Sequence, residues 1–429
     1  MSQTLINHIS SSPTPYHAVA TVKARLDQAG FVELSESAPW SMQVGGKYYI
    51  CRREASIIAF IYGNSSLETQ GLRIIGAHTD SPTLKVKPSP EKTSQGYFQL
   101  GIEVYGGALF SPWFDRDLSL AGRVAVKLGS DAAHCLLDFK RPIANIPSLA
   151  IHLDRAANDG RALNPQEHMS PILFQAEKGE SRFSEILAKE INRQRCFQQS
   201  VTAADILDFD LSFYDVQPPA VIGLDDSFLA SARLDNLLSC FVGLEAFAQS
   251  SGEQSAILAL FDHEEVGSQS NVGARSNLLT SFIERLIPDA DTRYRVLDQS
   301  FLLSIDNAHG IHPNFPNKHD EAHGPKLNQG PVLKYDANQG YATNTESASM
   351  LQLLAERAGV PLQKYVTRAD MRCGSTIGPM SAASTGITTV DIGVPTFAMH
   401  SIRELAGVKD IDYLDAILKH YLEMRTPSN

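Results

Sequence analysis

Apolar residues recur along this chain with two different periods, and the periods divide it. In "TPYHAVATVKARLDQAGF", Ala18, Val19, Val22 and Leu26 share one helical face, with Thr14 and Pro15 at its start and Gly30 at its end. That is the pattern of a capped amphipathic helix. "KYYICRREASIIAFIYG" reads as two strands joined by a charged turn, and "LRIIGAHT" as a third. From about 88 to 222 the texture changes: "GYFQLGIEVYGG", "LSLAGRVAVKLG", "AAHCLLDFK" and "ILDFDLSFYDV" are short, alternating and punctuated by glycine, as in an antiparallel sheet or barrel. Between them, roughly 155 to 200, lies a polar stretch that fits a loop plus a helix. The α/β texture then returns. "DNLLSCFVGLEAFAQ", "ESASMLQLLAERAG" and "DYLDAILKHYLEM" predict helices, and "AILALF", "FLLSI" and "GITTVDIGV" predict strands. The simplest organisation is an α/β domain, 1–87 and 223–429, interrupted by an all-β insertion at 88–222. The run "NAHGIHPNFPNKHDEAHGPKLNQGP" has neither period, and loops that long in compact domains are commonly functional.

Composition narrows the class. With 429 residues, 43% of them hydrophobic, the chain has material for a large core and two or three domains. Its net charge of -11, without a Lys/Arg block, argues against nucleic acid or an anionic membrane as the main partner. Five cysteines without a C-x-x-C pair exclude a disulfide framework and a thiolate zinc finger. No stretch reaches ~18 consecutive apolar residues, so no membrane span is expected. The first residues show neither a basic region nor a long apolar one, so no secretory signal is expected.

The chemistry lies just past the apolar strands. His78 and Asp80 follow "LRIIGA"; Asp262, His263, Glu264 and Glu265 follow "AILALF"; Asp306 follows "FLLSI"; His400 follows "VPTFAM"; Asp235 stands where a helix begins. Open α/β sheets collect functional groups at the carboxyl ends of their strands. An inventory of imidazoles and carboxylates without sulfur suits Zn²⁺, Mn²⁺ or Co²⁺. Five such ligands fit two metals, one carboxylate shared and two further ligands on each. In "DHEEVGS", neighbours on a regular strand point to opposite faces. Glu264 and Glu265 reach one site only if the strand ends there and the backbone turns; one would then ligate while the other accepts a proton. Taken singly, each residue has a plain explanation. His78 is a structural histidine, Asp235 a helix cap, Asp306 an Asx turn and His400 another cap. Glu264 and Glu265 are a solvated pair, and His152 in "SLAIHLDR" is a strand histidine of the insertion.

"SPTPYHAV", "HTDSP", "IPSLAIHLDR", "RLDN", "DHEEVGS", "SIDNAHGIHPN", "CGSTIGP" and "MHSIRE" resemble, in order and spacing, the motifs of the M18 family, the aspartyl aminopeptidases and their vacuolar and bacterial relatives. The resemblance spans essentially the whole chain. It implies that His78 and Asp306 are the unshared ligands of one metal, Asp235 the bridging carboxylate, and Glu265 and His400 the ligands of the second metal. It implies Glu264 as general base and Asp80 as the partner that holds His78. It makes His152 a catalytic residue that reaches a neighbouring subunit's site, and Lys334 in "GPVLKYDANQGYATN" a substrate-binding lysine. All seven ligand, base and partner positions carry competent side chains. The implied fold is an α/β/α sandwich with a mixed sheet, interrupted by a β-rich, barrel-like dimerisation domain. The implied assembly is a tetrahedral dodecamer built from dimers.

The implied function is removal of single N-terminal residues from peptides with a free N-terminus, using two divalent metal ions, zinc first and Mn or Co as alternatives. Asp or Glu at the N-terminus would require a positive pocket wall. Only a dozen or so residues precede "SPTPYH", where vacuolar relatives carry a longer targeting segment, so a cytoplasmic enzyme is expected. The competing readings are a binuclear amidohydrolase, a sister-family aminopeptidase that takes neutral or hydrophobic N-termini, and an inactive self-assembling shell.

Overall fold

The computed structural model describes residues 1–176 and 182–425. It separates into two compact units: Met1–Asp80 with Pro219–Met399 and Glu404–Asn429, and Ser81–Pro218 with His400–Arg403. The change of texture in the sequence falls at 88 and 222, a few residues after the structural limits at 81 and 218, and the insertion's first strand, Thr83–Ser94, already begins before 88.

The first unit is built on a nine-stranded sheet. Its order is Val32–Glu33, Lys47–Arg52, Ser56–Ile61, Ala256–Phe261, Arg73–His78, Phe301–Ile305, Thr388–Gly393, Val332–Tyr335 and Gln363–Val366. Its central strands are apolar on both faces, and successive residues feed two cores. Ile57, Ala59, Ile75, Leu258 and Leu303 enter one, with the helices Pro15–Gln28, Leu234–Ala248, Thr345–Ala358 and Val408–Leu422. Ile58, Phe60, Ile74, Ile257 and Leu302 enter the other, with the helix Leu278–Leu286. A strand buried on both sides reads as a continuous apolar run rather than an alternating one. The helix Pro15–Gln28 buries Ala18, Val19, Val22 and Leu26, the face expected from its sequence.

Four central strands run parallel: Ala256–Phe261 beside Arg73–His78, then Phe301–Ile305, then Thr388–Gly393. The register sets His78 opposite Phe261 and Ser304 opposite Gly76, so these strands end together. At their opposite ends the last helix ties two of them. The Tyr421 hydroxyl accepts the Ile74 N–H at 2.8 Å, and its own proton serves the carbonyls of Ile74 and Phe301. A second sheet of the same unit runs Ala220–Ile222, Phe228–Ser231, Glu404–Gly407, Pro395–Phe397 and Ala308–His309.

The inserted unit is an antiparallel six-stranded sheet, in the order Asp131–Asp138, Leu118–Leu128, Ile206–Asp215, Thr83–Ser94, Tyr97–Tyr105 and Ile172–Gln175. It is not the closed barrel that the texture allowed. Among the described residues the single bridges Leu118–Ala144 and Asn145–Ile172 tie the strands Leu118–Leu128 and Ile172–Gln175 to the segment at 144–145, and no ladder closes the sheet. The polar stretch holds the helix Phe183–Gln194, whose Glu190 is buried and takes hydrogen bonds from Arg141, Arg193 and Gln194. Among the described residues no helix is long and apolar enough to cross a membrane.

Burial opposes ionisation of Glu190, but its two arginines and Gln194 outweigh burial and hold its pKa at about 2, below the ordinary 4.5. A carboxylate lowered in the fold stabilises above its unfolded pKa and loses that contribution as pH falls through the folded one. Urea-denaturation midpoints are therefore expected to fall between pH 4.5 and about 2 in the wild type. Glu190→Gln should be less stable at pH 6 and show a shallower fall across that window; identical pH profiles would remove Glu190 from the account.

Candidate metal centre

At the carboxyl edge of the nine-stranded sheet, His78 is the last residue of its strand and is 1% exposed. Its Nδ1 lies 3.1 Å from the Asp80 carbonyl and 3.4 Å from Asp80 Oδ1. A proton held on that nitrogen leaves Nε2 as a lone-pair donor. Nε2 stands 3.4 Å from Asp235 Oδ1 and 3.5 Å from Asp306 Oδ1.

Asp80 has a second task. Its Oδ1 accepts the Glu264 N–H and its Oδ2 the Glu265 N–H, each at 3.1 Å. This is how two adjacent glutamates come to one place. The strand Ala256–Phe261 ends, His263 adopts a left-handed φ of 63°, and Glu264–Val266 make a turn of 3-10 helix. Ser56 Oγ pins the turn by accepting the Asp262 N–H at 2.9 Å and donating to the Val272 carbonyl at 2.7 Å.

Asp235 is not a conventional helix cap. It and Asn236 leave helical geometry, their peptide bond is cis, and the Asp235 N–H is taken by Glu404 Oε2 at 3.0 Å. Asn236 Nδ2 donates to the Ile305 carbonyl at 3.0 Å, next to Asp306. His78, Asp235 and Glu265 each offer a ligand atom, all within 4.8 Å of one another.

Lys334 lies in the strand Val332–Tyr335 and is buried at 1% exposure. Its Nζ lies 3.5 Å from Asp306 Oδ2 and 5.3 Å from the centre of the Tyr341 ring. Beyond it, Asp391 accepts hydrogen bonds from Thr376 Oγ1 and the Ala342 N–H, both at 2.6 Å.

His152 and His400 belong to the inserted unit. His152 is exposed in a turn, not in a strand, flanked by exposed Ile151 and Leu153. His400 has a left-handed φ of 68°, with Nδ1 3.2 Å from the Gly107 carbonyl.

The charge balance of the centre is unusual. Asp80, Asp235, Asp306, Glu264 and Glu265 lie around the His78 imidazole, and the Lys334 ammonium stands beside Asp306. Burial, with Asp306, Asp80 and Asp235, pushes Glu264 up to about 8 against the pull of His78. Burial and then Asp235 raise Glu265 well above the glutamate range. Burial disfavours a charge on His78, yet its hydrogen bonds to Asp235, Asp306 and Asp80 win and hold it well above the usual imidazole value. Burial likewise opposes ionisation of Asp306, but Lys334 and His78 keep its carboxyl below the usual range.

So many buried carboxylates call for cations. The donor set fits one. Ligands ~2.1 Å from a tetrahedral Zn²⁺ lie roughly 3.4 Å apart, and the spacings from His78 Nε2 to Asp235 and Asp306 are 3.4 and 3.5 Å. Sequence reasoning did not assign a role to Glu404, although "MHSIRE" contains it, or to Asp391, a carboxylate in the apolar run "TTVDIG". Nor did it single out Ser56.

A family model described as aminopeptidase I zinc metalloprotease (M18) matches residues 8–422. A probable M18 family aminopeptidase 2 of Ectopseudomonas mendocina (strain ymp) is 52% identical over 417 residues, covering 97% of this chain and 96% of the relative. Among solved structures, Ape4 in its complex with Nbr1 superposes with a TM-score of 0.94 at 36% identity, covering 98% of this chain and 85% of that one. The mApe1 dodecamer of S. cerevesiae superposes with a TM-score of 0.82 at 29% identity, covering 98% and 96%.

Gly393 tests how tightly the centre is packed. A Cβ there would lie 1.6 Å from the Asp306 carbonyl oxygen, whereas one at exposed Gly374 meets nothing within 4 Å. Gly393→Ala is expected to cost on the order of 4 kcal/mol and Gly374→Ala no more than about 0.5. Denaturation curves of the two variants check this; equal curves would mean that the backbone at Asp306 yields freely.

Proposed function

The chain belongs to the M18 family of zinc metallo-aminopeptidases, and from that premise we propose that it removes single N-terminal residues from peptides with two divalent cations and Glu264 as general base. The observation that carries this reading is the convergence of the buried His78 imidazole with the carboxylates of Asp235, Asp306 and Glu265. His78 and Asp306 would hold one cation, Glu265 and His400 the other, and Asp235 would be shared. Zn²⁺ is the first choice, with Mn²⁺ or Co²⁺ as alternatives. Divalent cations, when bound, acidify water and polarise a carbonyl.

The protein's own groups do the rest. The Glu264 carboxylate takes a proton from the attacking water and passes it to the leaving amine. Asp80 keeps Glu264 in place through its backbone N–H and orients His78 through Nδ1. Removal of one residue at a time follows if the substrate's free amine is bound beside the cations or a carboxylate. His152 would stabilise the reacting carbonyl in a neighbouring subunit's site. A tetrahedral dodecamer built from dimers, of which the mApe1 dodecamer is a relative, is the proposed assembly, the inserted unit its dimerisation domain, and the cytoplasm its proposed location.

X-amide substrates with free and with acetylated N-termini test the reading directly. Only the free ones should turn over, and Glu264→Gln should lower turnover by ~10²–10⁴ with metal content unchanged. Equal hydrolysis of blocked substrates would sink the aminopeptidase reading, and near-normal turnover by Glu264→Gln would remove it as the base.

Preference for N-terminal Asp or Glu is proposed to rest on Lys334. Its ammonium already neighbours Asp306, so replacing it disturbs the centre as well as the pocket. Lys334→Met should lower kcat/KM for Asp and Glu more than for Leu. A uniform loss across Asp, Glu, Leu, Met and Arg would assign Lys334 to Asp306 alone.

A further inference from the structure

The residue that holds Asp235 lies outside the ligand set. We propose that Glu404 is a positioning residue for the metal centre, setting the place of Asp235 by accepting its backbone N–H; the inference rests on the metal-centre reading above. Glu404 opens the strand Glu404–Gly407 and pairs with Ser231 on Phe228–Ser231. Four residues beyond Ser231 the chain reaches Asp235, and Glu404 Oε2 meets its N–H at 3.0 Å.

Both residues are buried, Glu404 at 2% and Asp235 at 4% exposure. The approach to Asp235 is also fixed from the other side. Arg233 takes a left-handed φ of 58°, and its guanidinium donates to the carbonyls of Ser12 and Ile9. Asp235 stands in the first turn of the helix Leu234–Ala248, where a backbone N–H has no intrahelical partner and needs an acceptor outside the helix. Glu404 supplies that acceptor, and the Asp235 carboxylate then stands 3.4 Å from His78 Nε2.

A neutral amide of the same length can accept the same N–H without a charge to desolvate. What the interaction requires is reach. Glu404→Gln keeps the length and an acceptor oxygen. Glu404→Asp keeps the charge and withdraws the acceptor by one methylene. If reach positions Asp235, the two variants separate; if charge is what matters, they separate in the opposite order.

The experiment is a Zn²⁺ titration of chelator-stripped full-length protein against a competing metal indicator, for wild type, Glu404→Gln and Glu404→Asp. Thermal unfolding of each stripped protein is recorded alongside. Glu404→Gln should bind Zn²⁺ nearly as the wild type does. Glu404→Asp should bind 10–100-fold more weakly, the usual effect of losing a partner outside the ligand set, with the stripped proteins unfolding alike. Wild-type affinity in Glu404→Asp overturns the proposal, as does an affinity of Glu404→Gln at or below that of Glu404→Asp. Failure of either variant to fold also counts against it, because a positioning role leaves the metal-free fold intact. A wild type that takes up no Zn²⁺ would instead refute the metal centre itself.

Discussion

Like charges packed out of water are the constraint on which the centre depends. Five carboxylates meet around His78, of which Asp80, Asp235 and Asp306 are buried, and Lys334 places an ammonium against Asp306. Such a cluster is tolerable only if its charge is spread over hydrogen bonds, neutralised by protons or matched by cations. The protein has the hydrogen bonds and favours the other two. Asp80 spends its oxygens on two backbone N–H groups, Glu264 and Glu265 are driven toward their protonated forms, and the spacing of the ligand atoms suits a divalent ion.

Much of this was legible in the sequence, for a physical reason. Parallel strands that end together deliver whatever follows them to one edge, so His78, the Glu264–Glu265 pair and Asp306 announced themselves by standing next after apolar runs. The turn required by adjacent glutamates followed from the two-residue period of a strand, and it is present at His263. Periodicity also identified the helix Pro15–Gln28 and the face it buries.

What the sequence concealed was long-range pairing. No local pattern says that Asp235 will meet Glu404, 169 residues away, or that Ser56 will brace a turn 206 residues on. A carboxylate beginning a helix looks like a cap whether or not its N–H has a distant acceptor. Alternating strands look the same in an open sheet and in a barrel, because closure is decided by the pairing of edges and not by the alternation within each strand. His152 lies among apolar residues that resembled a strand, yet they occupy an exposed turn.

The Tyr421 hydroxyl has a consequence in time as well as in space. It satisfies backbone groups of the strands that carry His78 and precede Asp306. The residue that ties those strands is made 347 residues after one and 120 residues after the other. A chain emerging from the ribosome at ~5–20 residues per second carries His78, Asp235, Glu265 and Asp306 well before this clasp exists, with His400 arriving shortly before Tyr421. The unbroken stretch Ser81–Pro218 meanwhile has most of its own core available. The strands that carry His78 and precede Asp306 are therefore tied together only after the helix Val408–Leu422 has been delivered, by which point all of Ser81–Pro218 has been made.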